Sequence, residues 1–301
     1  MSLLKKLRES RNLSHSELAN QIGVSSDEIK SWEKEASCIS KDGLSSLAYY
    51  FGSSSEELQD MFAGNESYIM TNTHYIFAED EESGWWGHFG LCLNGQKDSK
   101  WFPITLGQAN RISNALDNMS SRDQWLTVET LNNRILLFRP TMVSRMWTLD
   151  DDADQPMGDW NPPWDGYSGN PSEFYKGLEE YYWSSIGCEG EYTVAKNVQA
   201  AVESFTDIHD LDLEQVAELV LETQIYNLEG RTFSHIVDGS RLSELMFSAD
   251  IGESVMILNL SNDNFDFYIP SDNVALIDMP KRFVDQYIRE EGYFEEDENA
   301  N

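Results

Sequence analysis

A chain of 301 residues, 40% apolar and 12% aromatic, can build two or three domains with real cores and needs no metal or disulfide staple to do so. Its 53 acidic against 21 basic side chains give a net charge of -32, so the molecule as a whole repels nucleic acid and anionic membrane, and any nucleic-acid contact must be local. Cys38, Cys92 and Cys188 form neither a disulfide framework nor a metal spacing, the opening MSLLKKLRES lacks a secretory core, and no run reaches the roughly 20 apolar residues of a membrane span; the expected compartment is the cytoplasm.

Residues 1–64 are the least acidic part, with seven Lys or Arg against ten acids, a net of -3. Leu3, Leu4 and Leu7 fall at helical spacing, and Asn12-Leu13-Ser14 breaks that helix. Ser14 and Glu17 are spaced as a capping box, followed by Leu18, Ala19 and Ile22 as the buried stripe of a second helix. Gly23 ends it. Ser25 or Ser26 caps a third helix with Ile29 and Trp32 on one face, so two short helices meet at a glycine, a helix-turn-helix pattern. A fourth helix is predicted over Ser40 to Phe51 and a fifth over Ser55 to Met61, with Glu56 and Glu57 at its electropositive start.

The series Leu7-Arg8-Glu9, Leu13-Ser14, Glu17-Leu18-Ala19, Ile22-Gly23-Val24-Ser25, Ile29, Trp32-Glu33, Ile39-Ser40, Leu44 and Leu47-Ala48 resembles the Cro and phage-repressor type of helix-turn-helix, also called the xenobiotic-response-element family. The resemblance covers about one fifth of the chain. It implies that the third helix enters the major groove of double-stranded DNA while the second helix and the following loop hold phosphates. On this chain it puts Ser25, Ser26, Asp27, Lys30 and Ser31 toward bases, and His15, Ser16, Lys34 and Lys41 toward phosphates. The chain departs from the pattern at His15, where Gln is usual, and at Glu35, where Gly is usual. Asp27 and Glu28 also put carboxylates at the start of the recognition helix, where they add nothing to phosphate attraction.

After residue 64 helical spacing gives way to short alternating and aromatic runs. Tyr68 to Phe77 reads as a strand, Asp80 to Gly84 as an exposed turn, and Gly87 to Leu93 as its hairpin partner ending at Asn94-Gly95. A helix over Leu106 to Leu116 precedes strands over Trp125 to Leu131 and Arg134 to Phe138. The order and spacing of this helix-hairpin unit recur 130 residues later without a gap: Arg111 to Leu116 aligns with Arg241 to Met246, Trp125 and Val128 with Val255 and Leu258, and Leu137-Phe138-Arg139-Pro140 with Phe267-Tyr268-Ile269-Pro270. Between the copies, the aspartates of 150–154 lead into a Pro- and Gly-rich connection bearing Trp160, Trp164 and Tyr167, which either pack on their own domain or bind a partner. Helices follow over Glu173 to Trp183, Val194 to Phe205 and Leu213 to Leu221, then strands around Glu229-Gly230, a helix over Lys281 to Arg289 and an acidic tail.

The fold class expected is an all-α N-terminal helix-turn-helix domain followed by an acidic α+β region, with a candidate duplicated helix-hairpin unit. The domains would be 1–64, a first α+β subdomain 65–150, a connection with a helix 151–189, a second α+β subdomain 190–289, and a tail 290–301. No cofactor or metal is expected: the aspartate run lacks the ordered spacing and closing Glu of a calcium loop, and the five histidines have no ligand spacing. Without a phosphate-cradling Gly loop or a nucleophile elbow, the expectation is a non-enzyme. It would be a sequence-specific DNA-binding regulator, a homodimer on a DNA operator, whose acidic region dimerises or senses a protein partner. The alternative is an interaction protein or DNA mimic that captures a basic partner.

Overall fold

The computed structural model describes residues 2–64, 85–161, 169–188, 193–250, 252 and 255–291. The predicted strand over Tyr68 to Phe77, the turn at 80–84, Trp164 and Tyr167, and most of the tail lie outside these. Two compact units emerge, and they do not follow chain order: Met1–Trp86, Thr105–Gly107 and Ser168–Val216 form one, and Gly87–Ile104, Gln108–Tyr167 and Ala217–Asn301 the other.

In the first unit, α1 (Leu3–Ser10), α2 (His15–Ile22), α3 (Ser26–Lys34), α4 (Lys41–Phe51) and α5 (Ser55–Ala63) fall close to the positions that periodicity predicts, with a 3-10 turn at Ala36–Cys38. Reciprocal capping boxes start three of them: Ser14 with Glu17, Ser25 with Glu28, and Ser54 with Glu57. Each box satisfies backbone N–H groups that a helix start leaves open. Gly23 ends α2 in the left-handed region at φ 75°, where a Cβ would be strained. Leu4, Leu7, Leu18, Ala19, Ile22, Ile29, Trp32, Leu47, Ala48, Phe51, Leu58 and Met61 close one core. The Trp32 ring leaves room only for glycine at Gly43, where a Cβ would sit 2.6 Å from Cη2.

Two later helices, α7 (Ser172–Ser185) and α8 (Lys196–His209), belong to this unit and pack on each other and on α4. The sequence assigns these helices to a connection at 151–189 and a subdomain at 190–289, whereas in the structure they pack with the N-terminal helices. The cause is packing: Tyr49 of α4 lies against Val194, Ala195 and Val198, while Phe174 and Leu178 are fully buried. Polar contacts fix the register. Glu173 accepts from the Ser55 N–H at 2.7 Å and donates its own N–H to the Ser53 carbonyl at 3.0 Å. Lys176 Nζ donates to Glu56 at 2.6 Å, and Ser45 Oγ accepts from the Ala195 N–H at 2.9 Å.

The second unit is built on β1 (Trp85–Leu93), β2 (Lys100–Thr105), α6 (Leu106–Asp117), β3 (Leu126–Glu129), β4 (Arg134–Phe138), β5 (Val143–Asp150), α9 (Leu213–Val220), β6 (Thr223–Asn227), β7 (Thr232–His235), α10 (Gly239–Asp250), β8 (Ile257–Asn259), β9 (Tyr268–Pro270), β10 (Val274–Pro280) and α11 (Lys281–Glu291). Its sheets are ordered β2-β1-β5, β3-β4-β10-β6-β7 and β8-β9, with antiparallel pairing of β1 with β5, along the whole five-stranded sheet, and of β8 with β9. β1 lies between β2 and β5, and Asn94-Gly95 turns the chain from β1 into β2, while the strand expected over 68–77 as the hairpin partner of β1 lies outside the described residues. β5, over which the sequence predicts no strand, is half-exposed at a sheet edge and carries Arg145 within it and Asp150 at its end.

The order strand-strand-helix-strand-strand-3-10 turn-strand occurs twice, as β1 to β5 with α6 and a turn at Pro140–Met142, and as β6 to β10 with α10 and a turn at Ser271–Asn273. In each copy the first strand lies between the second and the last, β2-β1-β5 and β7-β6-β10. The gapless residue correspondence at the second hairpin is corrected, because the ladders pair Val128 with Leu136 but Leu258 with Ile269. A longer connection between β8 and β9 absorbs the difference. The five-stranded sheet is pinned by buried Arg134 on β4, which donates to Asp278 of β10 at 2.6 Å and to the Glu218 and Glu222 carbonyls.

Candidate nucleic-acid interface

The start of α3 is positioned by Gly23, Val24 and the Ser25–Glu28 box. Ser25 Oγ accepts the Glu28 N–H at 3.2 Å, and the Glu28 carboxylate accepts the Ser25 N–H at 2.8 Å. That backbone bond holds the Glu28 carboxyl below its ordinary range. Glu28 therefore folds back along its own helix. Ile29 and Trp32 face the core, which turns Asp27, Lys30, Ser31 and Lys34 to solvent.

Glu33 points the other way and ties three helices together. It accepts from Arg8 Nε at 2.6 Å and pairs with His15 Nε2 at 3.0 Å, while Arg8 Nη1 donates to the Leu13 carbonyl at 2.6 Å. Burial opposes ionisation of Glu33, but the hydrogen bonds from Arg8 and His15 outweigh it and keep its carboxyl below the usual glutamate range. Sequence reasoning gave Arg8 and Glu33 no role beyond the pattern. Their signal was a charged residue placed directly beside core positions Leu7 and Trp32.

The predicted DNA-side residues separate accordingly. Ser25 is occupied as the α3 cap, and Ser26 is the half-buried first residue of the helix. Asp27 and Lys30 form an exposed ion pair at 2.8 Å, and the hydrogen bond from Lys30 lowers the Asp27 pKa. Ser31 and Lys34 continue the same outward face. Ser16 is exposed on α2, Lys41 is exposed at the first position of α4 after its cap Ser40, and His15 is half-buried against Glu33. Eight of the nine thus lie on or at the start of α2, α3 and α4, and Ser25 serves as a cap.

Residues 4–58 match the helix-turn-helix family model. This helix-turn-helix is a DNA-binding domain of the kind found in transcription regulators, and it spans the five capped helices almost completely. No curated protein and no solved structure matches the chain.

Away from the helix-turn-helix, the connection after β5 is anchored rather than loose at its described end. Asp159 accepts from the Ser99 N–H at 2.6 Å, Ser99 Oγ at 2.8 Å, Arg145 Nε at 2.7 Å and Trp147 Nε1 at 3.1 Å. Its carbonyl takes the Trp101 indole N–H at 2.6 Å. Trp160 follows, half-buried with its ring 4.8 Å from Trp101 and 5.0 Å from His88, so this candidate partner residue packs on its own unit. Among the described residues, no group of three His, Cys, Asp or Glu is placed to hold a metal ion, and no helix is long and apolar enough to cross a membrane.

Proposed function

We propose that this protein is a sequence-specific transcription regulator without enzymatic chemistry of its own, which docks its helix-turn-helix on a palindromic operator as a homodimer. The acidic remainder would dimerise the chain or sense a protein partner, holding two α3 helices about 34 Å apart for successive major grooves. The observation that carries this reading is the division of labour on α3. Glu28 and Glu33 are consumed by the fold, while Lys30, Ser31 and Lys34 face outward. Glu33, paired with Arg8 inside the fold, adds no net charge to that surface, so the surface offered to DNA is less acidic than the composition of the helix suggests.

Selection of the full-length protein from a pool of random duplexes, followed by salt titration on the enriched site, tests the proposal. A regulator enriches an inverted repeat and loses affinity steeply with salt. A protein that kept this fold for docking to other proteins, or an acidic DNA mimic, enriches no duplex; the mimic instead competes with DNA for a basic partner. Sedimentation with and without the enriched duplex measures the stoichiometry, and one chain per inverted repeat would remove the dimer.

A further inference from the structure

Of the three carboxylates on α3, two are used by the fold itself. Glu28 closes the capping box, and Glu33 bridges Arg8 and His15. Asp27 is different: its side chain is 87% exposed, and the contact it makes among the described residues is the 2.8 Å ion pair with Lys30, whose side chain is 51% exposed. The two are three residues apart and so share one helical face. Asp27 is also the second residue of α3, in the part of a recognition helix that meets base edges.

An ionised carboxylate has acceptors and no donor, so against DNA it is excluded from phosphates and is satisfied only by a base amino group. Its pairing with Lys30 makes the couple electrically neutral, which removes the penalty of carrying a lone carboxylate into the groove. The couple presents an acceptor beside an ammonium donor. In the major groove a C·G pair offers the N4 amino donor at one side and two contiguous acceptors, O6 and N7, at the other. In an A·T pair the N6 donor sits between two acceptors, N7 and O4, which would face the carboxylate from both sides.

We propose that Asp27 and Lys30 read one C·G base pair together, Asp27 accepting from cytosine N4 and Lys30 donating to guanine O6 and N7. The assignment rests on the operator-binding reading above and adds to it the identity of one base pair in each half-site and the residues that choose it. It makes the carboxylate at the head of α3 a determinant of specificity.

Random-duplex selection with the full-length protein is repeated for Asp27→Ala, Asp27→Asn and Lys30→Ala at one fixed salt concentration, and affinities are then measured on the enriched duplex and on the same duplex with each position changed in turn. The expected wild-type site has one C·G position per half-site whose replacement by T·A weakens binding about 5- to 150-fold. Asp27→Ala flattens the preference at that position to within about twofold and leaves the other positions as they were. Asp27→Asn moves it toward A·T, since a carboxamide both donates and accepts as adenine requires. Lys30→Ala weakens the same position. An enriched site whose base preferences are identical in wild type and Asp27→Ala overturns the pair's role while leaving operator binding intact, as does a wild-type preference for A·T at the Asp27-dependent position. If the wild type enriches no duplex, both the operator reading and this assignment fall.

Discussion

Glu33 carries more of the N-terminal unit than its position beside a DNA-facing helix suggests. Replacing it with Gln takes the charged acceptor from Arg8 Nε and leaves this guanidinium, only 6% exposed, with the 3.5 Å pair to Glu9, at a cost of about 1–3 kcal/mol in chemical denaturation. The pH dependence has a definite sign. A carboxyl depressed in the folded state contributes stability that is present above the ordinary glutamate value of 4.5 and is lost as pH falls through the lower folded value. Acid titration of stability should therefore be shallower in Glu33→Gln than in the parent. Gly23→Ala, which forces a Cβ into the left-handed region, should lower stability by about 1–2 kcal/mol in the same assay. Both residues were visible in the sequence, Gly23 as a turn and Glu33 as part of a pattern, but only Gly23 had a physical role there. Glu33 acquires its role from Arg8, 25 positions away, and no local rule pairs them.

At the scale of elements, the five N-terminal helices were legible because their signals are local: a Ser and a Glu three residues apart at the start of α2, or leucines at helical spacing. The docking of α7 and α8 on α4 was not legible. Their faces have the same amphipathic period whichever domain they cover, and more than 100 residues separate Ser55 from Glu173. Glu173 tests this junction. Burial raises its pKa, so the neutral Gln retains an acceptor for the Ser55 N–H and should change stability little. Glu173→Ala leaves that buried N–H unsatisfied and should cost about 1–3 kcal/mol. Leu178→Ala, at a fully buried site, should cost about 2–5 kcal/mol. Equal melting of all three variants and the parent would show that this junction contributes nothing to the unit. In the other unit, the strands predicted over Trp125 to Leu131, over Arg134 to Phe138 and around Glu229-Gly230 declared themselves by apolar, β-branched and aromatic runs between turn residues. The exposed edge strand β5 did not, because its polar residues read as loop.

For the whole molecule, a net charge of -32 sets the background against which a few cations must hold DNA. Each phosphate contact contributes about 0.9 to the slope of log affinity against log salt. Lys34→Ala and Lys41→Ala should each reduce that slope by about one contact if they hold phosphates, whereas Lys30→Ala should reduce it less because Asp27 already neutralises Lys30. Slopes for Lys34→Ala and Lys41→Ala equal to the parent's would remove Lys34 and Lys41 from the phosphate-binding set. Sequence alone determined the charge imbalance, the five N-terminal helices, the turn at Gly23 and the two occurrences of a helix-hairpin order, since composition, caps and periodicity act over a few residues. Tertiary structure decided which helices share a core, which strand lies between which, and which acids on α3 remain for a ligand. Those outcomes depend on side chains distant in the chain competing for the same buried donors and the same apolar surface, and that competition is settled only when the chain is folded.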